Sequence, residues 1–153
     1  RFAVLAAVAG SLACAGGASS LPAPSPERLP FAEKLAVDFA KMTKTKGGVD
    51  IRDLEQGTGP VIENGQSVSV RYVGSLNNGT EFDKVGPGDK PIAFKLGRRQ
   101  VIQGWDEGLQ GMRVGGKRQL VVPPDMGYGP ERSGKIPGDA TLVFVVEVVS
   151  AKY

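Results

Sequence analysis

The run VIQGWDEGLQG, residues 101–111, decides how the rest of the chain is read, because it sets the single Trp of the sequence where a short helix has to begin. Val101 and Ile102 form an apolar pair before Gln103 and Gly104. Asp106 and Glu107 fall in the first turn, where carboxylates favour the positive end of a helix dipole. Trp105, Leu109 and Met112 then recur at helical spacing on one face. A lone Trp on such a face is more often core than ligand site, so the flanking sequence must decide between them.

On both sides the pattern is one of short alternating runs, which implies a twisted antiparallel sheet rather than a helical or parallel fold. VDIRDLEQGTGP gives a strand that ends in a Gly/Pro turn. SVSVRYVGSL places Val68, Val70 and Tyr72 on one face, and Asn77-Asn78-Gly79 supplies turn chemistry into Glu81-Phe82-Asp83, which makes a hairpin. Ile92, Phe94 and Leu96 share a face after the Gly/Pro-rich excursion 84–91. GGKRQLVVPP and ATLVFVVEVVSAKY supply the last strands, separated by an irregular loop over 125–138. The fold class is α+β: a five- or six-stranded antiparallel half-barrel wrapped around one short helix, with an additional N-terminal helix.

The N-terminal part divides differently. Residues 1–20, RFAVLAAVAGSLACAGGASS, read as the remnant of a targeting or signal peptide, cleaved near Ala15 to Ser20, and as too short and Gly/Ala-rich for a good membrane span. Cleavage there removes Cys14, the only Cys, and leaves no stable membrane span. Residues 21–48 combine a Pro-rich spacer, LPAPSPERLP, with an amphipathic stretch in which Phe31, Leu35, Phe39 and Met42 repeat at helical intervals, predicting about three turns of helix. Thr43 to Gly48 releases the chain, and 49–153 form the main domain.

Composition removes several function classes. Without a single His, and with one Cys, the chain offers neither a Ser/His nor a Cys/His pair, nor the common zinc ligand sets, so no metal and no cofactor is expected. A net charge of +3, from scattered basic side chains without interleaved aromatics, gives no nucleic-acid surface. What remains is an excess of large apolar residues facing one hollow: Tyr72, Phe82, Ile92, Phe94, Trp105, Leu120 and Phe144. Tyr72, Phe82, Ile102, Trp105 and Tyr128 would line its mouth, with Asp83 the one nearby carboxylate. An apolar cup with few polar groups is a ligand-site pattern.

The runs VRYVGSL, GTEFD, FKLGRRQVIQGWDEGLQGM, GGKRQLVVPPDMGYG and IPGDATLVFVVEVV, in this order and spacing, resemble the FKBP-type peptidyl-prolyl cis-trans isomerases, the immunophilins that also bind macrolides. The similarity covers about Gly57 to Tyr153. It implies that Tyr72, Phe82, Asp83, Trp105, Tyr128 and Phe144 form the catalytic pocket, with Trp105 as its floor, and that Val101, Ile102, Ile92 and Ile136 contact substrate. It also implies that the Ile102 N–H and the Tyr128 hydroxyl bond carbonyls of a bound chain.

Three positions depart from the family pattern. Ile92 stands where an aromatic is frequent, Gly88 where an Arg pairs with the pocket carboxylate, and the rim loop Pro130 to Ile136 is about one residue short. Lys135 replaces an apolar rim residue. The resemblance therefore implies reduced macrolide affinity, and Asp83 is expected to lack its usual cation. The partners it implies are proline-containing polypeptides, met by a monomer. The export-like N-terminus and a similarity to lumenal chloroplast members favour the thylakoid lumen, with the bacterial periplasm as the alternative compartment. The competing function is a weakly active or inactive binding module that serves assembly or docking.

Overall fold

A computed structural model describes Pro26, Leu29 and residues 31–153. The expected targeting remnant, 1–20, and most of the Pro-rich spacer lie outside the described residues. Seven strands form one antiparallel sheet: β1 (Thr43–Lys44), β2 (Asp50–Glu55), β3 (Ser67–Leu76), β4 (Glu81–Val85), β5 (Ile92–Lys95), β6 (Lys117–Val122) and β7 (Leu142–Lys152). Their order is β1-β2-β6-β7-β3-β4, with β5 also paired to β3. The sheet is open, and the one α-helix among the described residues, α1 (Gln103–Gly108), lies in the concavity.

The strands are those that the alternation predicts, with one addition. β1 is only two residues long and pairs Thr43 with Ile51 and Lys44 with Asp50. The Lys44 ammonium donates to the buried Asp50 carboxylate at 3.2 Å. That ion pair fixes an edge strand where the sequence reads as a release of the chain. The expected hairpin is present: Gly79, at φ 91°, turns β3 into β4, and its N–H donates to the Leu76 carbonyl at 2.9 Å. The positive φ is a conformation that glycine adopts without steric cost.

The three-turn helix expected over Phe31–Met42 is not formed. In its place stand two separate 3-10 turns, Glu33–Leu35 and Phe39–Lys41. Ala36 adopts a left-handed conformation, φ 50°, that ends the first turn, and the Asp38 carboxylate starts the second by accepting from the Ala40 N–H. The pull is tertiary. Gln119 on β6 donates its Nε2 to the Leu35 carbonyl at 2.6 Å, and the Ala32 N–H donates to the Asn77 carbonyl at the hairpin tip. Gln119, Val121, Val143 and Ser75 alternate with the core residues of their strands and are nevertheless buried. The segment is thus a strap across the outer face of the sheet, and its apolar period reports a half-buried face without a helical backbone.

The inner face carries Val68, Val70, Tyr72, Leu120, Val122, Leu142, Phe144, Val146 and Val148, all buried around α1. A helix of six residues has little stability of its own, and three polar staples hold it. The Asp106 carboxylate accepts from the N–H groups of Gly97 at 2.8 Å and Arg99 at 3.0 Å. The Glu107 carboxylate accepts from the Gly47 N–H. Both acids therefore tie loops to the helix, beyond the dipole role their positions suggest. Arg118 donates to the Gly108 and Gln110 carbonyls, each at 2.8 Å, and to Asp53 at 2.7 Å.

The helix can sit this deep because Gly108 lacks a side chain: a Cβ there would lie 2.2 Å from Leu120 Cδ2 and 3.3 Å from Val49. Gly108→Ala should therefore cost about 1–3 kcal/mol through overpacking, with the helical preference of Ala returning at most ~1 kcal/mol of it. Urea denaturation checks this; an unchanged or raised midpoint would show that α1 is not held against Leu120.

Candidate active site

Trp105 stands where the sheet curls most tightly over α1. Its ring centroid is 4.9 Å from Tyr72, 5.4 Å from Phe144 and 5.7 Å from Phe94, the first two nearly edge-on. Phe82 meets Phe144 edge-on at 5.6 Å. Strand register builds this cluster. Gly74 on β3 lies opposite Phe144 on β7 and opposite Asp83 on β4. A Cβ on Gly74 would stand 2.8 Å from both the Phe144 and Phe82 rings. The missing side chain admits two rings to one place, a role the sequence reading did not give Gly74; its opposition to Phe144 becomes visible only once the β3–β7 register is known.

Of the residues expected at the site, Tyr72, Trp105 and Phe144 are in mutual ring contact, and Phe82 joins them through Phe144. Val101 and Ile102 precede the helix, and the Ile102 carbonyl accepts from the Trp105 N–H at 3.0 Å. Ile136 sits on the 127–139 loop, in a tight turn closed by reciprocal backbone bonds with Ser133 at 2.8 and 2.9 Å. Tyr128 and Ile92 are half-buried, at the margin of the cluster. Phe94, expected among the inward residues but not at the mouth, packs behind the indole.

Asp83 has a partner after all. The Tyr72 hydroxyl donates to its Oδ2, and the Lys84 N–H donates to Oδ1 at 2.9 Å. Gly88, where the missing cation would have stood, is exposed, and a Cβ there would meet nothing within 4 Å. Asp83 lacks the family's cation, as expected, and a phenol one strand away gives its carboxylate a hydrogen bond instead. The Asp83 charge reaches Tyr128 as well: burial first, and that carboxylate second, push the Tyr128 phenol up to about 12. Asp106 is also held above the usual carboxylate range by desolvation, against the opposing pull of its two backbone N–H bonds and of Arg99.

The hollow was expected to open beside Tyr128. Most of its walls are buried, whereas Tyr128 and Ile92 at its margin are only half-buried. Trp105 and Phe144 are 0% exposed, Tyr72 2%, Ile136 3%, Ile102 4% and Phe82 5%. The indole Nε1–H is buried without an acceptor, an uncommon state for a group that costs free energy to desolvate. Among the described residues a small polar cleft of about 40 Å³ lies elsewhere, lined by Asp53, Glu55, Arg113 and Arg118. No three residues of the types that ligate metals cluster among the described residues.

Comparison with known proteins follows this geometry. Residues 59–149 match the family described as FKBP-type peptidyl-prolyl cis-trans isomerase. The FK506-binding protein of Neisseria meningitidis is 47% identical over 104 residues, which is 67% of this chain and 95% of that protein. FK506-binding protein 4 of Mycosarcoma maydis is 48% identical over 78% of this chain, but the match spans only 33% of that longer protein. In structure, FkpA from Escherichia coli superposes with a TM-score of 0.69 at 37% identity, covering 78% of this chain and 55% of that one. AtFKBP13 superposes at 0.67 and 34% identity, over 73% of this chain and 98% of that one.

The electrostatic link between Asp83 and Tyr128 has a measurable sign. The Tyr128 phenol keeps its proton in the fold to about pH 12, against 10 in an unfolded chain. Its contribution to stability is therefore complete below pH 10 and lost as pH rises toward 12. Asp83→Asn should lower the Tyr128 ionisation midpoint in ultraviolet titration while leaving it above 10, because burial is the larger cause. A midpoint that does not move would place Asp83 too far away to act.

Proposed function

The chain belongs to the FKBP-type peptidyl-prolyl cis-trans isomerases, and from that premise we propose that it accelerates X–Pro rotation in folding or newly translocated polypeptides, using the cluster around Trp105. The observation that carries this reading is the grouping of Tyr72 and Phe144 on one indole, with Phe82 packed on Phe144, beside a single carboxylate paired to a phenol.

The reaction suits such a site. Rotation about a peptide bond costs ~18–20 kcal/mol because twisting destroys amide resonance, and X–Pro bonds alone populate the cis form appreciably. No covalent bond breaks, so neither nucleophile nor proton donor is required. The planar amide is more polar, and better solvated, than the twisted one. An apolar enclosure that strips water from the planar form therefore lowers the relative barrier. Trp105, Phe82, Tyr72 and Phe144 hold the prolyl ring. Val101, Ile92 and Ile136 bound the flanking chain, the Ile102 N–H and the Tyr128 hydroxyl orient carbonyls, and Asp83 acts electrostatically at the reacting amide.

The substrates are proline-containing polypeptides. Macrolides of the kind named in the relatives' titles bind with reduced affinity, because Ile92 gives less ring surface than an aromatic and Lys135 brings a charge to the rim. Residues 1–20 act as the targeting segment, 21–48 as spacer and strap, and 49–153 as the isomerase domain. The thylakoid lumen is the compartment this division favours, on the strength of the small-residue junction before the Pro-rich spacer. No described helix is long and apolar enough to cross a membrane.

Exchange spectroscopy on a short X–Pro peptide tests the site. Phe82→Ala and Trp105→Leu should each lower kcat/KM at least about tenfold, a loss of ~1.4 kcal/mol or more of transition-state stabilisation, while circular dichroism shows the sheet retained. Full activity in both folded variants would remove the cluster from the mechanism.

A further inference from the structure

Glu107 follows Trp105 by two residues on α1, yet its carboxylate reaches a residue sixty positions earlier in the chain, accepting from the Gly47 N–H. Gly47 belongs to the turn between β1 and β2, and that turn is closed on itself. The Thr45 N–H donates to the Val49 carbonyl at 2.8 Å, the Gly48 N–H to the Thr45 carbonyl at 3.0 Å, and the Val49 N–H to the Thr45 hydroxyl at 3.1 Å. The pairing of Lys44 with Asp50 holds its base. Gly47 directs its N–H away from the turn, to the helix.

Gly47 also meets the segment that carries Tyr128. A Cβ on Gly47 would stand 2.6 Å from Met126 Cε and 2.9 Å from Glu107 Cδ, so backbone, carboxylate and thioether converge on one point. Met126 is buried and closes the 3-10 turn Pro124–Met126, two residues before Tyr128. It touches α1 directly as well: a Cβ on Gly104 would lie 3.1 Å from the Met126 carbonyl oxygen. The Gly127 and Gly129 N–H groups both donate to the Pro124 carbonyl, at 3.1 and 2.8 Å, and so tie Tyr128 to the same turn. The turn over 45–48 therefore contacts both carriers of the site, the helix of Trp105 and the loop of Tyr128.

We propose that Glu107 is a positioning residue of the isomerase: by holding Gly47 it seats the 45–48 turn against Met126, and so fixes the Tyr128 hydroxyl relative to the Trp105 ring. The proposal rests on the isomerase reading for the role of Tyr128, and on the contacts alone for the clamp. Displacing an orienting group by about 1 Å is enough to cost a large part of its catalytic effect. A carboxylate of the pocket helix thus acts at the rim, and the strap and β1, which lead into the turn, become part of the frame around the site.

The test compares Glu107→Ala with Glu107→Gln, whose amide oxygen still accepts from the Gly47 N–H, in the full chain acting on a short X–Pro peptide. Glu107→Ala should lower kcat/KM about three- to tenfold, chiefly through kcat, and Glu107→Gln should stay within about twofold of the unsubstituted chain. In a Tyr128→Phe background, which lacks the hydroxyl, Glu107→Ala should cost less than about twofold more. Gly47 does not require a positive φ, so Gly47→Ala acts by displacing Glu107 and Met126; it should repeat the loss, and it decides the matter where Glu107→Ala does not fold. The Tyr128 ring resonances should move in Glu107→Ala and Gly47→Ala but not in Glu107→Gln. An equal loss in the Tyr128→Phe background, an equal loss in Glu107→Gln, or no loss in the folded Ala variants overturns the proposal. If the unsubstituted chain itself does not catalyse, the isomerase reading fails separately and the resonances decide the clamp: movement as expected supports it, and resonances unmoved in the Ala variants overturn it.

Discussion

The contact of one indole with the rings around it is what the architecture depends on. Trp105 touches Tyr72 on β3, Phe144 on β7 and Phe94 on β5, so a single side chain of α1 joins three strands. Each such pair adds ~0.5–1.5 kcal/mol beyond the area it buries. A six-residue helix could not exist without that burial, and the sheet would have nothing to curl around without the helix. Helix and concavity are thus one cooperative object. The same rings form the structural centre and the proposed site.

Hydrophobic burial has no direction, so the orientation of α1 must come from polar groups. Arg118 supplies most of it. Its guanidinium is buried, which would be costly without partners, but it satisfies two carbonyls at the C-terminal end of α1 and the Asp53 carboxylate together. Those carbonyls are among the groups that a helix end leaves without internal partners. Asp106 performs the complementary task at the loop before the helix, and its carboxyl is held above the usual range by desolvation. The indole is positioned by charges that never approach it.

Much of this was legible in the chain. Period-two alternation located six strands, and the Trp-bearing run located the start of α1, because both depend on local pattern; Met112, read on the same helical face, lies beyond the end of α1 at Gly108. The pocket set came from the order and spacing of five runs rather than from any one residue. What stayed hidden is non-local. β1 exists because Lys44 meets Asp50 across a turn, which two residues cannot announce. Phe31, Leu35, Phe39 and Met42 do mark a half-buried face, yet Gln119 and Asn77 capture the backbone carbonyl and N–H that a helix would have used or left facing water. The partner of Asp83 was sought among cations, whereas register delivers a phenol.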